Sequence, residues 1–258
     1  MAEWVTVYVP AHFAMTDDQV VDVLARMGSA ELVTHHPGTG LVATNLPFLF
    51  DPALGDRGGL LGHVARNNRQ WSDPVDGEAL VIVTETDHYV SPAWLPSVIE
   101  HGRGVPTWDY VTVHVYGELV AHDDLEWTRD VVQRLTRRHE GRDGAATDPS
   151  DRPEGAPARI SDRASGGPGW RVEDAAEGYA DAMLKAIVGI EVRITRITAK
   201  AKMAQNKAPV DVAALADVLA AQGDRHGAAW LREVSLPAAQ RRAELLAEVA
   251  TRRPPRED

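Results

Sequence analysis

The sequence predicts a mainly β fold with α additions, and two patterns support this class. Short β-rich runs follow one another in the first half of the chain, without long helices between them. Clusters of Gly, Pro and Asp separate these runs, as turns separate the strands of antiparallel barrels and sandwiches. Helical spacing of apolar residues is concentrated near the amino end and in the second half. We therefore expect an antiparallel barrel or sandwich with flanking helices.

Runs of β-branched and aromatic residues predict the individual strands. The predicted strands cover residues 30–34, 41–50, 59–66, 79–85, 110–122 and 190–197. In the longest run, Val111, Val113 and Val115 alternate with polar and aromatic residues. Since successive residues of a strand point to opposite faces, one face of this strand should cover the core and the other should line a pocket.

Helices are predicted from apolar residues at a spacing of three or four. The first begins at a capping box formed by Thr16 and Gln19, which predicts a helix over 17–27. Further helices are predicted over 125–139, 173–187, 210–221, 224–233 and 237–251. The segment 141–169 is rich in Gly, Pro, Asp and Arg, so we expect a flexible insertion there.

Composition excludes several functional classes. The chain has 258 residues and no cysteine, which rules out disulfides and thiolate chemistry and fits a reducing cytoplasm. No run of apolar residues is long enough to cross a membrane, and no signal peptide is recognisable. The net charge of −11 repels nucleic-acid phosphates, so direct nucleic-acid binding is not expected.

The segment from Gly62 to Trp71 concentrates side chains that suit a flat, anionic ligand. It contains an imidazole, two guanidinium groups, three carboxamides and an indole. Imidazole can ligate a metal, guanidinium can bind phosphate or carboxylate, and indole can stack on a ring. The alternative is a strand end that runs into a capped helix with solvated polar residues. The residue types alone leave both interpretations open.

Several short blocks stand out by their order and spacing: Tyr8-Val9-Pro10-Ala11-His12-Phe13, Asn45-Leu46-Pro47, Gly62-His63-Val64-Ala65 with Asn68 and Gln70-Trp71, Tyr89-Val90-Ser91-Pro92-Ala93-Trp94, Val105-Pro106-Thr107-Trp108-Asp109-Tyr110, Ile187-Val188-Gly189-Ile190 and Lys200-Ala201-Lys202-Met203-Ala204-Gln205-Asn206. Together these blocks resemble the PaiB-like family of FMN-binding negative transcriptional regulators. The resemblance implies a split β-barrel that binds FMN at a homodimer interface. We expect this domain over residues 1–235, followed by a helical extension with a frayed end over 236–258.

One branch of the family, the piperazate synthases, binds haem b instead. These enzymes close N5-hydroxy-L-ornithine to L-piperazic acid by N–N bond formation. Val98 stands where the family often has Lys, and Asp109 where it often has Asn. Losing a cation and gaining an anion disfavours phosphate and favours a cationic amino-acid substrate. We therefore expect a haem-dependent enzyme; the alternatives are an FMN-binding negative transcriptional regulator or an FMN-dependent oxidoreductase.

The resemblance and the residue types together assign cofactor contacts in the first two thirds of the chain. His63 is the expected ligand of the haem iron, or a donor to a flavin edge, and His114 is the reserve ligand. Arg66 is expected to hold a phosphate or propionate, and a strand-end ion pair is its structural alternative. Further cofactor contacts are expected at Asn68, Trp94 and Trp108.

A second group of candidates lies near the strand start at Tyr110 and towards the carboxyl end. Lys200 and Lys202, two residues apart in an extended segment, are expected to face one anion. Asp109 and Tyr110 are expected to contact the substrate amine and to move protons. The alternatives are a solvated strand end and a structural carboxylate bonded to Thr107. The remaining expected cofactor contacts are Gln205 and Asn206.

Overall fold

The computed structural model describes residues 8–140 and 169–252, and its strands form one seven-stranded sheet. The strands are β1 Ser29–His36, β2 Gly40–Pro47, β3 Leu49–Asp51, β4 Gly59–Ala65, β5 Ala79–Val90, β6 Thr107–His122 and β7 Ile187–Lys202. Their order is β2-β1-β5-β6-β7-β4-β3. The pairs β1–β2, β1–β5, β3–β4 and β4–β7 are antiparallel. The predicted mainly β class with helical additions is confirmed.

Helices precede, interrupt and follow the strands. They are α1 Asp17–Arg26, α2 Pro96–His101, α3 Leu125–His139, α4 Tyr179–Lys185, α5 Pro209–Ala221, α6 Arg225–Trp230 and α7 Leu236–Arg252. Most predicted helices are confirmed, and their ends lie close to the predicted ones. The short helix α2 has no counterpart in the sequence-based prediction, because six residues show too little periodicity.

The predicted helix over 173–187 is wrong for most of its length. A short 3₁₀ turn covers Val172–Asp174, and only α4 is α-helical. Gly178 precedes α4 with a positive φ of 72°, a left-handed conformation that interrupts a right-handed helix. From Ile187 onward the backbone pairs with β4 instead, with Ile187 opposite Ala65.

Four strands, β1, β5, β6 and β7, are longer than predicted, and one predicted strand is split. β5 continues from the predicted end at residue 85 to Val90, and β7 continues to Lys202. The ends of β5 and β7 carry several polar residues, so hydrophobicity alone does not reveal them. The run 41–50 divides into β2 and β3 around Phe48, whose side chain is fully buried.

Residue contacts divide the chain into two compact units. Unit 1 comprises residues 1–20, 84–113 and 199–258, and unit 2 comprises residues 21–83 and 114–198. The predicted insertion lies outside the described residues over 141–168, and so does the predicted frayed end over 253–258. The predicted division at residue 235 stays a prediction. Over the described residues, no helix is long and apolar enough to cross a membrane.

In unit 2, helix α3 packs tightly against the sheet. Leu49, Leu61, Val131 and Leu135 form a buried apolar cluster, with Trp127 packed against it. Gly189 of β7 lies under the Trp127 ring: a Cβ atom at Gly189 would come within 2.3 Å of that ring. The close approach of α3 to β7 therefore requires glycine at this position.

Changing Gly189→Ala should lower the free energy of unfolding by about 1–3 kcal/mol, because the added methyl group overlaps the indole. Urea denaturation of the full chain measures this difference. Gly28→Ala is the matched control, since nothing lies within 4 Å of a Cβ atom at Gly28. Equal stability of the two variants would contradict the packing described here.

A partly buried ion pair also joins α3 to the sheet. Arg134 donates to Asp51 over 2.6 Å, and this hydrogen bond holds the pKa of Asp51 below its usual value. A lowered pKa stabilises the fold above the unfolded-state pKa, and this contribution is lost as the pH falls through the folded-state pKa.

We expect Arg134→Met to destabilise the protein by about 1 kcal/mol at neutral pH. Its deficit relative to the unchanged chain should shrink as the pH falls from about 4, where an unperturbed Asp carboxyl takes up a proton, through the lower folded-state pKa of Asp51. Arg232→Met, which removes an exposed pair with Asp217, serves as control. A deficit that does not change with pH would contradict the role of Asp51.

Candidate functional site

A shallow groove of about 320 Å³ opens on unit 1, along the start of β6. Its lining residues are Thr84, Asp87, Trp108, Tyr110 and Thr112. The three residues from β6 alternate in sequence, so they share one face of the strand. On the other face of β6, every second residue from Asp109 to Gly117 is buried. The predicted division of this strand into a core face and a pocket face is confirmed.

One unpaired ammonium group lies beside the groove. The Nζ atom of Lys200, on β7, lies 5.4 Å from the centre of the Tyr110 ring. Across residues 8–140 and 169–252, no carboxylate forms an ion pair with this amine. Attraction to the ring holds the charge near the groove without neutralising it. Lys200 can therefore bind an anion there.

Lys202 has a different environment from Lys200. Its Nζ atom donates to Thr107 Oγ1 over 2.8 Å, to the Trp108 carbonyl oxygen and to Asp109 Oδ1 over 3.3 Å. An ammonium group has three donors, so these acceptors use all of them. Lys202 thus holds the first residues of β6 against the end of β7. The shared role of the two lysines around one anion stays a prediction, and the geometry favours Lys200.

Asp109 lies on the core face of β6 and not in the groove. Its side chain is 1% exposed, whereas its neighbour Tyr110 lines the groove. Burial raises the pKa of Asp109, and the nearby Lys202 ammonium opposes this shift. The expected contact between Asp109 and a substrate amine therefore does not fit the strand geometry. Tyr110 keeps its expected place beside a ligand.

A buried histidine, which the sequence does not single out, accompanies Asp109 on the core side of unit 1. His88 is 9% exposed, and burial lowers its pKa. Within the described part of the chain, neither His88 ring nitrogen nor Asp109 Oδ2 has a hydrogen-bond partner. The nearest carboxylate oxygen to His88 Nδ1 is that of Asp224, at 3.7 Å. Unsatisfied buried polar groups of this kind often accompany functional sites.

Three aromatic rings of unit 1 form a cluster that we call the aromatic corner: Tyr89, Trp94 and Trp108. The Tyr89 ring lies 5.9 Å from Trp94 and 6.2 Å from Trp108, at interplanar angles of 84° and 71°. Tyr89 is absent from the residues expected to form the site. The available signal for Tyr89 was its place in the block from Tyr89 to Trp94, and the geometry of β5 puts it on the same face as Asp87.

The two predicted amides after β7 do not line the groove. Gln205 is buried, accepts from the Met203 amide and donates to the Ala201 carbonyl oxygen. It therefore stabilises the turn that follows β7. Asn206 is exposed, and its role as a cofactor contact stays a prediction.

The remaining expected residues belong to unit 2. His63, on β4, is partly buried, and its Nδ1 atom has no partner among the described residues. Burial lowers the pKa of His63 and also that of His114, which favours the neutral imidazole that ligates metals. Over residues 8–140 and 169–252, no cluster of three or more His, Cys, Asp or Glu could hold a metal ion.

Arg66 has structural partners in unit 2. Its guanidinium donates to Asp123 over 2.7 Å, to the Lys185 carbonyl oxygen over 2.8 Å and to the Ile187 carbonyl oxygen over 3.1 Å. These contacts hold the end of β4 against the start of β7. They agree with the strand-end alternative, and binding of a phosphate or propionate by Arg66 stays a prediction.

Asn68 also has a structural role. Its side chain accepts from the Gln70 amide, which caps the 3₁₀ turn Arg69–Trp71, and it donates to Thr44 over 3.1 Å. Gln70 is buried and bonds to Thr44 and Thr34 across β1 and β2. The polar side chains after β4 therefore tie the turn to the sheet, and cofactor binding by Asn68 stays a prediction.

Comparison with known proteins places these features in a family. Residues 7–196 match the family model described as "Putative FMN-binding domain". The "Protease synthase and sporulation protein PAI 2" of Bacillus subtilis is 24% identical over 206 residues, which cover 79% of this chain and 84% of the relative. The uncharacterized yeast protein YKL070W of Saccharomyces cerevisiae is 35% identical over 107 residues, 40% of this chain and 63% of the yeast protein.

Solved structures give weaker likenesses. The conserved hypothetical protein Rv2991 from Mycobacterium tuberculosis is 12% identical, with a TM-score of 0.44 and coverage of 76% of this chain and 91% of that one. The flavocytochrome Anf3 from Azotobacter vinelandii is 11% identical, with a TM-score of 0.45 and coverage of 72% and 67%. Both scores are too low to support a conclusion about this chain. The family model, in contrast, matches well over half of the sequence. This chain therefore belongs to the PaiB-like family of FMN-binding domains.

Proposed function

We propose that this chain is an FMN-dependent oxidoreductase that binds the flavin in the groove of unit 1. The observation that carries the proposal is the Lys200 ammonium, which lies 5.4 Å from the Tyr110 ring beside that groove and forms no ion pair within the described part of the chain. An anion and an aromatic ring can be bound side by side there. Flavin mononucleotide combines both groups in one molecule.

The residues of the groove fit this cofactor. The Tyr110 and Trp108 rings offer faces on which a flat ring can stack. Thr84 supplies a hydroxyl for the polar chain between ring and phosphate, and Lys200 supplies the cation for the phosphate. Asp87 would repel a phosphate, so we infer that the phosphate lies on the Lys200 side of β6.

Each protein group then has a definite role. Bound flavin would supply reversible transfer of electrons or hydride. Lys200 neutralises the phosphate, and the Tyr110 hydroxyl can donate or accept a hydrogen bond beside the reacting atoms. Lys202 fixes the backbone of residues 107–109, and thereby the positions of the Trp108 and Tyr110 rings.

Haem chemistry is supported less well than flavin chemistry. The family assignment supports FMN as the cofactor and gives no support to haem b. A haem-ligating histidine usually donates its second ring nitrogen to a partner, and His63 Nδ1 has none among the described residues. A haem-dependent synthase that forms an N–N bond stays a sequence-based hypothesis. So do the homodimer and the cytoplasmic location.

Regulation of transcription is the second candidate function, because the PaiB-like motifs resemble those of FMN-binding negative regulators. The net charge of −11 opposes direct binding to DNA phosphates. A regulator of this kind would therefore need a basic partner or a local basic surface.

Lys200→Ala should weaken FMN binding by about tenfold or more, since a charge-assisted contact to the phosphate is lost. Quenching of flavin fluorescence during titration of the full chain measures the affinity. Lys185→Ala, on unit 2, is the matched control and should bind FMN normally. Equal affinity of the two variants for FMN would contradict the contact between Lys200 and the phosphate. A Soret band in the purified protein would support haem as the cofactor instead.

Two assays of the FMN-loaded protein separate an oxidoreductase from a regulator. We expect anaerobic addition of a reduced nicotinamide to bleach the flavin absorbance, because the shallow groove leaves bound flavin accessible. We expect no mobility shift of DNA from the protein's own promoter, because of the acidic charge. A shift that is lost at high salt, without flavin reduction, would instead support the regulator.

A further inference from the structure

The aromatic corner extends beyond the proposed flavin contacts, which include its Trp108 ring but neither Tyr89 nor Trp94. Tyr89 is 42% exposed and Trp108 is 55% exposed. Large aromatic side chains that stay exposed next to one another commonly mark a binding surface. The Tyr89 ring makes edge-to-face contacts with the Trp94 and Trp108 rings, so these rings are not stacked face to face.

A carboxylate lies on the same side of the sheet. Asp87 and Tyr89 are two residues apart on β5, so both project from one face, and Asp87 lines the groove together with Trp108. Asp87 is exposed and forms no ion pair in the part of the chain that the structure describes. Because β6 lies between β5 and β7, Asp87 and Lys200 lie on opposite sides of the groove-facing residues of β6.

We propose that the aromatic corner and Asp87 bind a cationic group of a substrate, a protonated or methylated amine. The faces of aromatic rings carry negative charge density and attract ammonium groups, and rings set at angles to one another are the usual receptor for methylated ammonium. The Asp87 carboxylate also attracts a cation. The ring faces and the carboxylate would both repel an anionic ligand, and a neutral apolar ligand would gain nothing from Asp87.

As an assignment of substrate class, this inference rests on the proposed flavin function. The amine-bearing substrate would occupy the β5 side of the groove, and the flavin phosphate would occupy the β7 side. As a binding site, the aromatic corner stands independently, because its contacts come from Tyr89, Trp94 and Asp87 and not from Lys200.

The test compares two probes of nearly equal shape. Choline carries a trimethylammonium group, and 3,3-dimethylbutan-1-ol is its neutral analogue. Ligand-detected NMR titration of the full chain, with and without FMN, gives the affinity of each. We expect choline to bind at least about tenfold more tightly than the neutral analogue, because only choline has a cation for the rings.

Matched variants locate the site. Tyr89→Leu and Asp87→Asn should each weaken choline binding, whereas Trp170→Leu and Asp56→Asn, at exposed positions of unit 2, should not. Circular dichroism confirms that each variant is folded. Equal affinity for both probes, no measurable choline binding, or equal effects of the control variants would each overturn the proposal.

Flavin titration of the same proteins keeps the two proposals apart. FMN binding without choline binding would overturn the cation site alone. Choline binding without FMN binding would leave the cation site in place and overturn the flavin assignment.

Discussion

The interactions of Lys202 determine the geometry of the candidate site. Its ammonium group ties the end of β7 to Thr107, Trp108 and Asp109 at the start of β6. The buried Asp109 carboxylate would be costly without this cation, and without the carboxylate the ammonium would lose its one charged partner among the described residues. Since the tie fixes the backbone of the strand, it also sets where Trp108 and Tyr110 project. Both the flavin proposal and the cation proposal depend on that projection.

The alternation of strand β6 then separates two kinds of chemistry. Trp108 and Tyr110 project into an open groove, where rings and hydroxyls can meet a ligand. Asp109, between them, projects into the core, where burial raises its pKa and one carboxylate oxygen has no partner among the described residues. One face of β6 can therefore bind a ligand, and the other carries the buried Asp109 carboxylate that pairs with Lys202. The flanking strands add opposite charges, Asp87 from β5 and Lys200 from β7, so the groove can hold a ligand or ligand pair with both charges.

Residue types and periodicity predicted much of the fold and part of the site. The mainly β class, the helix over 125–139 and the pocket face of β6 follow from local patterns that burial enforces. Tyr110, Trp108 and Lys200 were expected at a ligand and lie at or beside the groove. Arg66 and Asn68 show structural contacts instead, because nearby carbonyl, carboxylate and hydroxyl groups use their hydrogen-bonding capacity. Such partners are remote in sequence, so no local pattern reveals them.

The sequence by itself determined the family, the class of fold and the alternation that exposes every second residue of β6. These follow from motif order and from periodicity, both of which are local properties of the chain. Only the tertiary structure decided which of two neighbouring lysines keeps a free charge, that Asp109 faces the core, and that Tyr89 and Asp87 join the site. Those outcomes depend on which strands become neighbours, since the adjacency of β6 and β7 brings Lys200 to Tyr110, which is 90 positions away in the sequence.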